Sequence, residues 1–415
     1  MKIAIVSGDD VVSDDFGQLY AALAVRGHHV TAYVRRCDRR RAGKGTGQDY
    51  QVLPMCVGPK APRSDRDLLP FIGDWAAKLE RRWSSDRPDI VHAYGWLGGL
   101  AAQLAARRQR LPIVQSFRGL AAMSRSASAD GPDTATERER IEPLLARNAS
   151  WVTGESTLGV DALARLRHGR ARLTVLTGGV DVERFSPVGP AVARTDLHRI
   201  LCLAPNPLPC NGFDIAIRAL ARVPDAELIV AETAVTDHSH DEVRVELQQL
   251  ATELGVADRV GFVGRVVGDD LPRLLRSADI VACTPREPPR ATTVLQAMAS
   301  GVAVVALPVG VLRDVVVNAV TGFVQSPSKP GELVDALRSL LTQRFLRESM
   351  GAAGRSRALS RFTWDRMALE SLTIYRELTL PDTRPPATPL AGARLTGITK
   401  TSITELAGCR RGGGV

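Results

Sequence analysis

Residues 278–324 read, in order, as strand, loop, helix, strand, short helix and turn. Asp279 to Cys283 is a short apolar run. Pro285, Pro288 and Pro289 then hold an extended loop, incompatible with helix or inner strand, and that loop carries Arg286, Glu287 and Arg290. It leads into Ala291–Ser300, where Val294, Leu295 and Met298 share one helical face and Gly301 ends the helix. The first N–H groups of a helix have no partner within it, so a start at Thr292 and Thr293 suits a phosphate. A loop at the carboxyl end of a buried strand, feeding such a helix, is where open α/β sheets bind ligands.

A second group of polar residues lies at strand ends nearer the N-terminus. Asp89 to Tyr94 reads as a strand whose polar end, with His92 and Tyr94, reaches the carboxyl edge of a sheet. Leu111–Gln115 is the next strand and runs into Ser116, Phe117 and Arg118. A guanidinium does not deprotonate in proteins, so Arg118 is no general base. It can instead hold an anionic sugar, a phosphate or a leaving group through paired N–H groups. His92 has two readings, packing beneath a cleft or contact with an acceptor. His238-Ser239-His240 has no third ligand close by and reads as surface rather than a metal site.

The elements that must position these residues alternate strand and helix. Residues 1–34 form a β-α-β unit: Ile3–Ser7, a helix near Phe16–Arg26, then His29–Val34. The opening apolar run is too short for a signal peptide and is read as a first strand. Leu68–Trp83 and Glu137–Asn148 read as helices, and Trp151 to Ser156 as a strand ending in a helix cap. Residues 186–196 read as a linker. The alternation resumes at Arg199–Leu203 and continues through Ala226–Ala231, Glu242–Leu254 and Arg259–Gly264. Helices at Leu333–Leu341, Phe345–Leu359 and Phe362–Leu378 follow. This predicts an α/β protein of two Rossmann-like, doubly wound domains facing a cleft. Residues 121–136 are small and polar and are expected to be a mobile loop over that cleft. The Pro/Gly-rich residues 381–415 are expected to be a disordered tail.

With 415 residues the chain exceeds one core, and two domains of about 150–200 residues are expected. Six cysteines occur without a CxxC pair, which argues against zinc and for a reducing, cytoplasmic setting. The net charge is +9. Aromatics make up only 5% and no recognition-helix pattern occurs, so nucleic acid is set aside as a partner. Residues 35–66 are a basic, Gly/Pro-rich excursion in which Arg35, Arg36, Arg39, Arg40, Arg41 and Lys44 lie close together. Each basic side chain near an anionic bilayer contributes about 1 kcal/mol. Peripheral contact with the inner face of a membrane therefore competes with a plain solvated loop.

The wording of several segments resembles the family-4 retaining glycosyltransferases (glycosyl transferases group 1), which have the GT-B fold. Glu287-Pro288, Leu295 to Gly301, Val304-Val305 and Thr321-Gly322 match their donor-site segment. Gly27-His28-His29-Val30-Thr31, Pro88-Asp89…His92 and Val180-Asp181…Phe185…Pro187 match segments further upstream. The resemblance implies an acceptor-side domain over 1–187, a nucleotide-sugar-binding domain over 188–360, and a helix over 361–380 that crosses back to the first domain. It implies transfer of a sugar from a nucleotide-sugar donor to a glycan or lipid hydroxyl with retained anomeric configuration, and no metal or other cofactor.

Carried over residue by residue, the resemblance assigns sugar hydroxyls to Glu287, the nucleotide ribose to Gln296 and the phosphates to Thr292 and Thr293. It puts His92 and Tyr94 on the acceptor side and Arg118 where the family usually has histidine. Gly212 belongs to a phosphate-facing loop, but Asn206 and Asn211 stand where the family has arginine and lysine. Losing one group that stabilises developing charge typically costs about 2.7–4 kcal/mol, or 10²–10³ in rate. Arg286, Arg290, Arg265 and Arg118 are the candidates to replace those cations, with Arg290 and Arg118 beside Glu287 in the catalytic set. In the first loop Gly8 remains a donor-side candidate, although Asp9, Asp10, Asp14 and Asp15 after it would repel a phosphate. Two other readings share the fold: a degenerate binder of nucleotide or glycan, and a nucleotide-sugar epimerase.

Overall fold

The structure is a computed structural model that describes residues 1–8, 16–35, 50–60, 65–123, 132–234 and 240–380. Asp9 to Asp15, the basic run 36–49, residues 124–131 of the loop expected at 121–136, His238-Ser239 and the tail 381–415 lie outside the described residues.

The first domain orders its elements as β1 (Lys2–Ser7), α1 (Phe16–Ala24), β2 (His29–Arg35), β3 (Tyr50–Met55), α2 (Ile72–Ser85) and β4 (Ile90–Tyr94). There follow α3 (Trp96–Gln109), β5 (Ile113–Phe117), α4 (Pro132–Asn148), β6 (Trp151–Gly154), α5 (Thr157–Arg167) and β7 (Leu173–Val175). Its seven strands are parallel in the order β3-β2-β1-β4-β5-β6-β7. Strands buried on both faces carry apolar residues without strict alternation, and here successive residues serve opposite layers. Ile3 and Ile5 pack towards α1, while Ala4 and Val6 pack towards the layer of α2, α3, α4 and α5.

The second domain continues with β8 (His198–Ala204), α6 (Phe213–Leu220), β9 (Ala226–Glu232), α7 (Asp241–Glu253), β10 (Val260–Arg265), α8 (Asp270–Arg276) and β11 (Ile280–Cys283). After these come α9 (Thr292–Ala299), β12 (Ala303–Ala306), α10 (Leu312–Val315), β13 (Gly322–Val324), α11 (Pro330–Thr342), α12 (Arg344–Arg361) and α13 (Trp364–Thr379). Six parallel strands run in the order β10-β9-β8-β11-β12-β13. Ile200 and Cys202 face one core layer, and Leu201 and Leu203 face the other. In both sheets the order reverses between the first and fourth strands, so the crevices open at the ends of β1/β4 and β8/β11. Two Rossmann-like parallel sheets in this arrangement make the fold GT-B.

Helix α13 leaves the second domain and packs on the first, where Trp364, Met367, Leu372 and Tyr375 share a core with Ile3, Ile5 and Phe16. The segment 184–190 before β8 is held by Arg276, whose guanidinium donates to the carbonyls of Arg184, Ser186 and Pro190.

Three local expectations need correction. The excursion 35–66 contains a strand, β3, at the edge of the first sheet. Arg35 is 1% exposed, donates to the carbonyls of Val57 and Pro59, and is a structural residue rather than part of a membrane-facing run. The helix expected from Leu68 begins as a 3₁₀ turn over Asp65–Phe71 and becomes α-helical only at Ile72. Pro70 explains this, since it lacks an N–H and its ring collides with the preceding turn. Helix α4 starts at Pro132 instead of Glu137, a first helical position that proline suits.

Candidate active site

The donor-side platform is assembled from the loops after β8 and β11. Gly212, at φ +74°, sits so close to Thr284 that a Cβ there would lie 1.8 Å from the Thr284 carbonyl oxygen. Thr284 Oγ1 donates to the Gly212 carbonyl at 2.8 Å, and the Cys210 carbonyl accepts the N–H of Arg286 at 2.8 Å. Two loops remote in sequence are thereby stitched into one surface. Asn206 and Asn211 meet on it, with Asn211 Nδ2 donating to Asn206 Oδ1 at 2.7 Å and to the Asn206 carbonyl at 3.0 Å. The two asparagines that replace the expected cations brace each other across the loop.

The structure separates the proposed replacement cations. Arg286 makes a bidentate pair with Asp214 at 2.7 and 2.6 Å, and also donates to the Pro209 carbonyl. The carboxylate offsets its charge and raises its pKa, so Arg286 fastens the platform instead of bringing net positive charge to the crevice. Arg265 is exposed at the end of β10, the outermost strand of its sheet and two strands from β8. Arg290 is exposed on the loop beside Glu287, just before α9. Thr292 and Thr293 are half-buried at the start of α9, and neither side chain caps the helix. Gln296 is 7% exposed on the same helix. Gly8 follows the first strand under α3, where a Cβ on Gly98 would come within 3.2 Å of the Gly8 nitrogen.

Arg118 stands across from this platform. It leaves the end of β5 with its guanidinium carbon 5.0 Å from the centroid of the Phe16 ring, a stacking distance for a cation on an aromatic face. Its Nη1 is buried without a hydrogen-bond partner. Arg118 and Glu155 line two adjoining recesses. One, narrow, has Pro288 and Pro289 of the Glu287 loop as its far wall. The other, slightly smaller, is bounded by Phe16, Tyr94 and Trp364. The structure thus brings Arg118 together with the loop that carries Glu287 and Arg290.

His92, expected on the acceptor side, is sealed inside at 0% exposure. One ring nitrogen pairs with the Tyr375 hydroxyl at 2.5 Å and the other with Ser116 Oγ at 2.7 Å, and Ser116 continues to Thr153 at 2.6 Å. Burial lowers its pKa to about 3, so it is neutral at physiological pH. Tyr94 stacks on it with centroids 4.3 Å apart and forms part of the floor of the smaller recess. His92 is a strut joining β4, β5 and α13, and Tyr94, itself 2% exposed, lies between it and the wall of the recess.

Sequence reasoning missed Glu155 and Asp314, which cross between the domains. Glu155 Oε1 accepts the Ala291 N–H at 3.4 Å, at the start of α9. Asp314 Oδ2 accepts the Thr157 N–H at 2.6 Å, at the start of α5. Each domain so presents a carboxylate to a helix start in the other. Near Glu155, the only hint along the chain was the Ser156 cap. A carboxylate at the α9 start opposes the approach of a phosphate, by about 0.3–1 kcal/mol for a charge of this kind. Glu155→Gln is therefore expected to tighten nucleoside-diphosphate binding about two- to fivefold, measured by titration calorimetry. Unchanged affinity would mean that the carboxylate is already clear of the helix when nucleotide enters.

Among the described residues no cluster of three His, Cys, Asp or Glu side chains is arranged to hold a metal ion, and no helix is long and apolar enough to cross a membrane. Two doubly wound sheets, a returning helix and a stitched platform facing Arg118 define a glycosyltransferase of the GT-B type. Residues 199–357 match the family described as Glycosyl transferases group 1, and residues 12–179 match the Glycosyl transferase 4-like domain. The chain belongs to the glycosyl transferases group 1 family.

It is 30% identical over 380 residues to a D-inositol 3-phosphate glycosyltransferase of Xylanimonas cellulosilytica, covering 87% of this chain and 90% of that protein. To the protein of the same name from Mycobacterium bovis it is 32% identical over 347 residues, covering 78% and 70%. Among solved structures it is similar to the sucrose-phosphate synthase of Thermosynechococcus elongatus, with a TM-score of 0.78, 22% identity, and 91% and 99% of the two chains covered. It is also similar to HepE of Anabaena in complex with UDP, with a TM-score of 0.71, 19% identity, and 91% and 100% covered. The last two likenesses speak for the fold alone.

Proposed function

We propose that this enzyme moves a sugar from a nucleotide-sugar donor to an acceptor hydroxyl with retention at the anomeric carbon. The observation that carries the reading is the platform of Asn206, Asn211, Gly212 and Thr284, stitched to the Glu287 loop at the switch point of the second sheet. In this reading the N–H groups at the start of α9, with Thr292, Thr293 and Arg290, hold the diphosphate. Glu287 binds hydroxyls of the sugar and Gln296 those of the ribose. The bond from the anomeric carbon to the phosphate oxygen breaks, a bond to the acceptor oxygen forms on the same face, and the acceptor proton leaves with the diphosphate. Backbone N–H groups aimed at the leaving group act where charge develops, and need no reorganisation. The acceptor side is the recess beyond Tyr94 and Arg118. The names of the two curated relatives described above support a polyol acceptor. No metal is assigned a role.

A melting panel of UDP, GDP and ADP tests the donor site. One of the three is expected to raise the melting temperature, with EDTA leaving that shift and the turnover unchanged. At 100 times its Kd a ligand stabilises by about 2.7 kcal/mol, an easily read shift. If none of the three shifts melting, the transferase reading fails. Nucleotide binding without donor consumption would instead favour the degenerate binder, and donor conversion without any acceptor would favour the epimerase. The anomeric configuration of the product, read by NMR coupling constants, decides retention.

A further inference from the structure

The loop after β5 carries Arg118 and turns at Gly119, whose φ of +131° is a conformation that residues with a side chain rarely adopt. A single 3₁₀ turn over Ala121–Met123 follows. Arg118, Gly119, Leu120 and Met123 form one side of the narrow recess that has Pro288 and Pro289 opposite. A glycine next to Arg118 leaves the backbone there free to rotate, so other groups must fix where the guanidinium stands. Helix α4 supplies them. Glu142, 2% exposed, accepts the Ala121 N–H through Oε2 at 2.8 Å and the Arg138 Nε–H through Oε1 at 2.7 Å. Arg138 donates in turn from Nη2 to the Gly119 carbonyl at 2.8 Å. The loop is pinned on both sides of Leu120, once by a carbonyl and once by an N–H.

Among the described residues, the hydrogen bonds of both side chains go to each other and to this loop alone. Burying a carboxylate is costly even when it is paired, and an apolar pair could pack α4 without that cost. An apolar pair could not aim one N–H and one carbonyl. We propose that Arg138 and Glu142 are positioning residues, which hold residues 118–123, and with them Arg118, against the Glu287 loop and thereby set the affinity for the acceptor. The inference rests on the transferase reading above, in which this is the acceptor side. It adds control of that side by two residues that line neither recess.

Arg138→Lys is the discriminating variant. It keeps a cation beside Glu142, and so the ion pair, but puts a point charge in place of the fork that serves the carboxylate and the Gly119 carbonyl together. A pair that only stabilised α4 would tolerate the change. The full-length variant is expected to keep the melting temperature of the wild type and its nucleotide shift in the UDP, GDP and ADP panel. Hydrogen–deuterium exchange should run about 10-fold faster over residues 118–123, with β5 and β6 unaltered. With inositol and inositol 3-phosphate as acceptor probes, the acceptor KM should rise about 10-fold, the value of one lost hydrogen bond. The kcat at saturating acceptor should stay within about twofold. Glu142→Gln leaves Arg138 unpaired at a site 36% exposed, not buried, and should move the same readouts in the same direction. The double variant should add little to either, since both residues act on one loop.

Unchanged exchange over 118–123 in both single variants overturns the proposal. So does a fall in kcat with KM unmoved, or an acceptor KM and a nucleotide affinity that weaken together. If neither probe is glycosylated, the exchange comparison alone decides. Loss of every nucleotide shift in the wild type refutes the transferase reading, whereas an intact nucleotide shift with unchanged exchange refutes the positioning pair alone.

Discussion

Gly212→Ala is expected to destabilise the second domain by at least about 3 kcal/mol and to abolish nucleoside-diphosphate binding. Two costs combine. Alanine at φ +74° is strained wherever it sits, and here its Cβ would fall 1.8 Å from the Thr284 carbonyl oxygen. That obstacle is backbone, at the end of a strand whose residues Ile280 to Cys283 are all buried, and it cannot swing aside as a side chain would. The loop after β8 must therefore lift. Lifting it breaks the Thr284–Gly212 bond and moves the Cys210 carbonyl away from the N–H of Arg286. The Glu287 loop then loses its support, and the start of α9 shifts with it. For a domain of this size the melting temperature should fall by roughly 6–12 °C, and calorimetric titration should show no nucleotide heat. Asn206→Ala, which removes the Oδ1 that accepts from Asn211 Nδ2 and from the Leu208 N–H, should cost much less in both measurements. If the glycine variant melts and binds like the wild type, the two loops are not one mechanical unit, and the platform account is lost.

The parts of this site that were readable from the chain are those coded by neighbours. Three prolines and a helical stripe mark the loop and helix at 285–299, and the alternation of strands and helices marks the two sheets. A parallel sheet imposes its own order on strands so buried, which makes the architecture legible from local pattern. Pairings between distant residues leave no such trace. Asp214 neutralises Arg286 from a helix three strands earlier in the chain, and nothing in the spacing of either residue says so. Arg35 lies at the head of a basic run and reads as surface, yet its side chain is buried and its guanidinium is spent on the carbonyls of Val57 and Pro59. Glu155 is unremarkable in its sequence, between a strand and a cap, and acquires meaning only because the second domain brings Ala291 to it. Trp364 and Tyr375 reach the first domain from the far end of the chain through α13. Helical periodicity shows that such a helix exists, and only the packed structure shows which core it completes.

That same returning helix underlies an acid lability that should be large. His92 sits at 0% exposure, neutral, between the hydroxyls of Tyr375 and Ser116, and burial holds its pKa at about 3. In the unfolded chain the imidazole titrates near its ordinary value of about 6.5. Between those two values the unfolded state carries a proton that the folded state does not. Stability therefore rises with pH across this window and is lost as pH falls from about 6.5 towards 3. The contribution is full above the unfolded value, and its slope below it approaches about 1.4 kcal/mol per pH unit for one group. Urea midpoints at pH 7.5, 6.5, 5.5 and 4.5 should show the fall begin near 6.5 in the wild type.

His92→Gln should be less stable at pH 7.5, having lost at least one of its two hydroxyl partners, yet nearly flat where the wild type declines. Buried Glu142 opposes this trend, because burial raises its pKa. A folded-state pKa above the unfolded one favours the folded state as pH falls, so the comparison must be between the two curves and not on either alone. Tyr375→Phe separates the strut from the titration. It leaves one imidazole nitrogen short of a partner in an apolar site, at about 1–3 kcal/mol, while the ring stays buried and the pH slope persists. Parallel curves for the wild type and His92→Gln below pH 6.5 would place the acid-sensitive group elsewhere and leave His92 as packing alone.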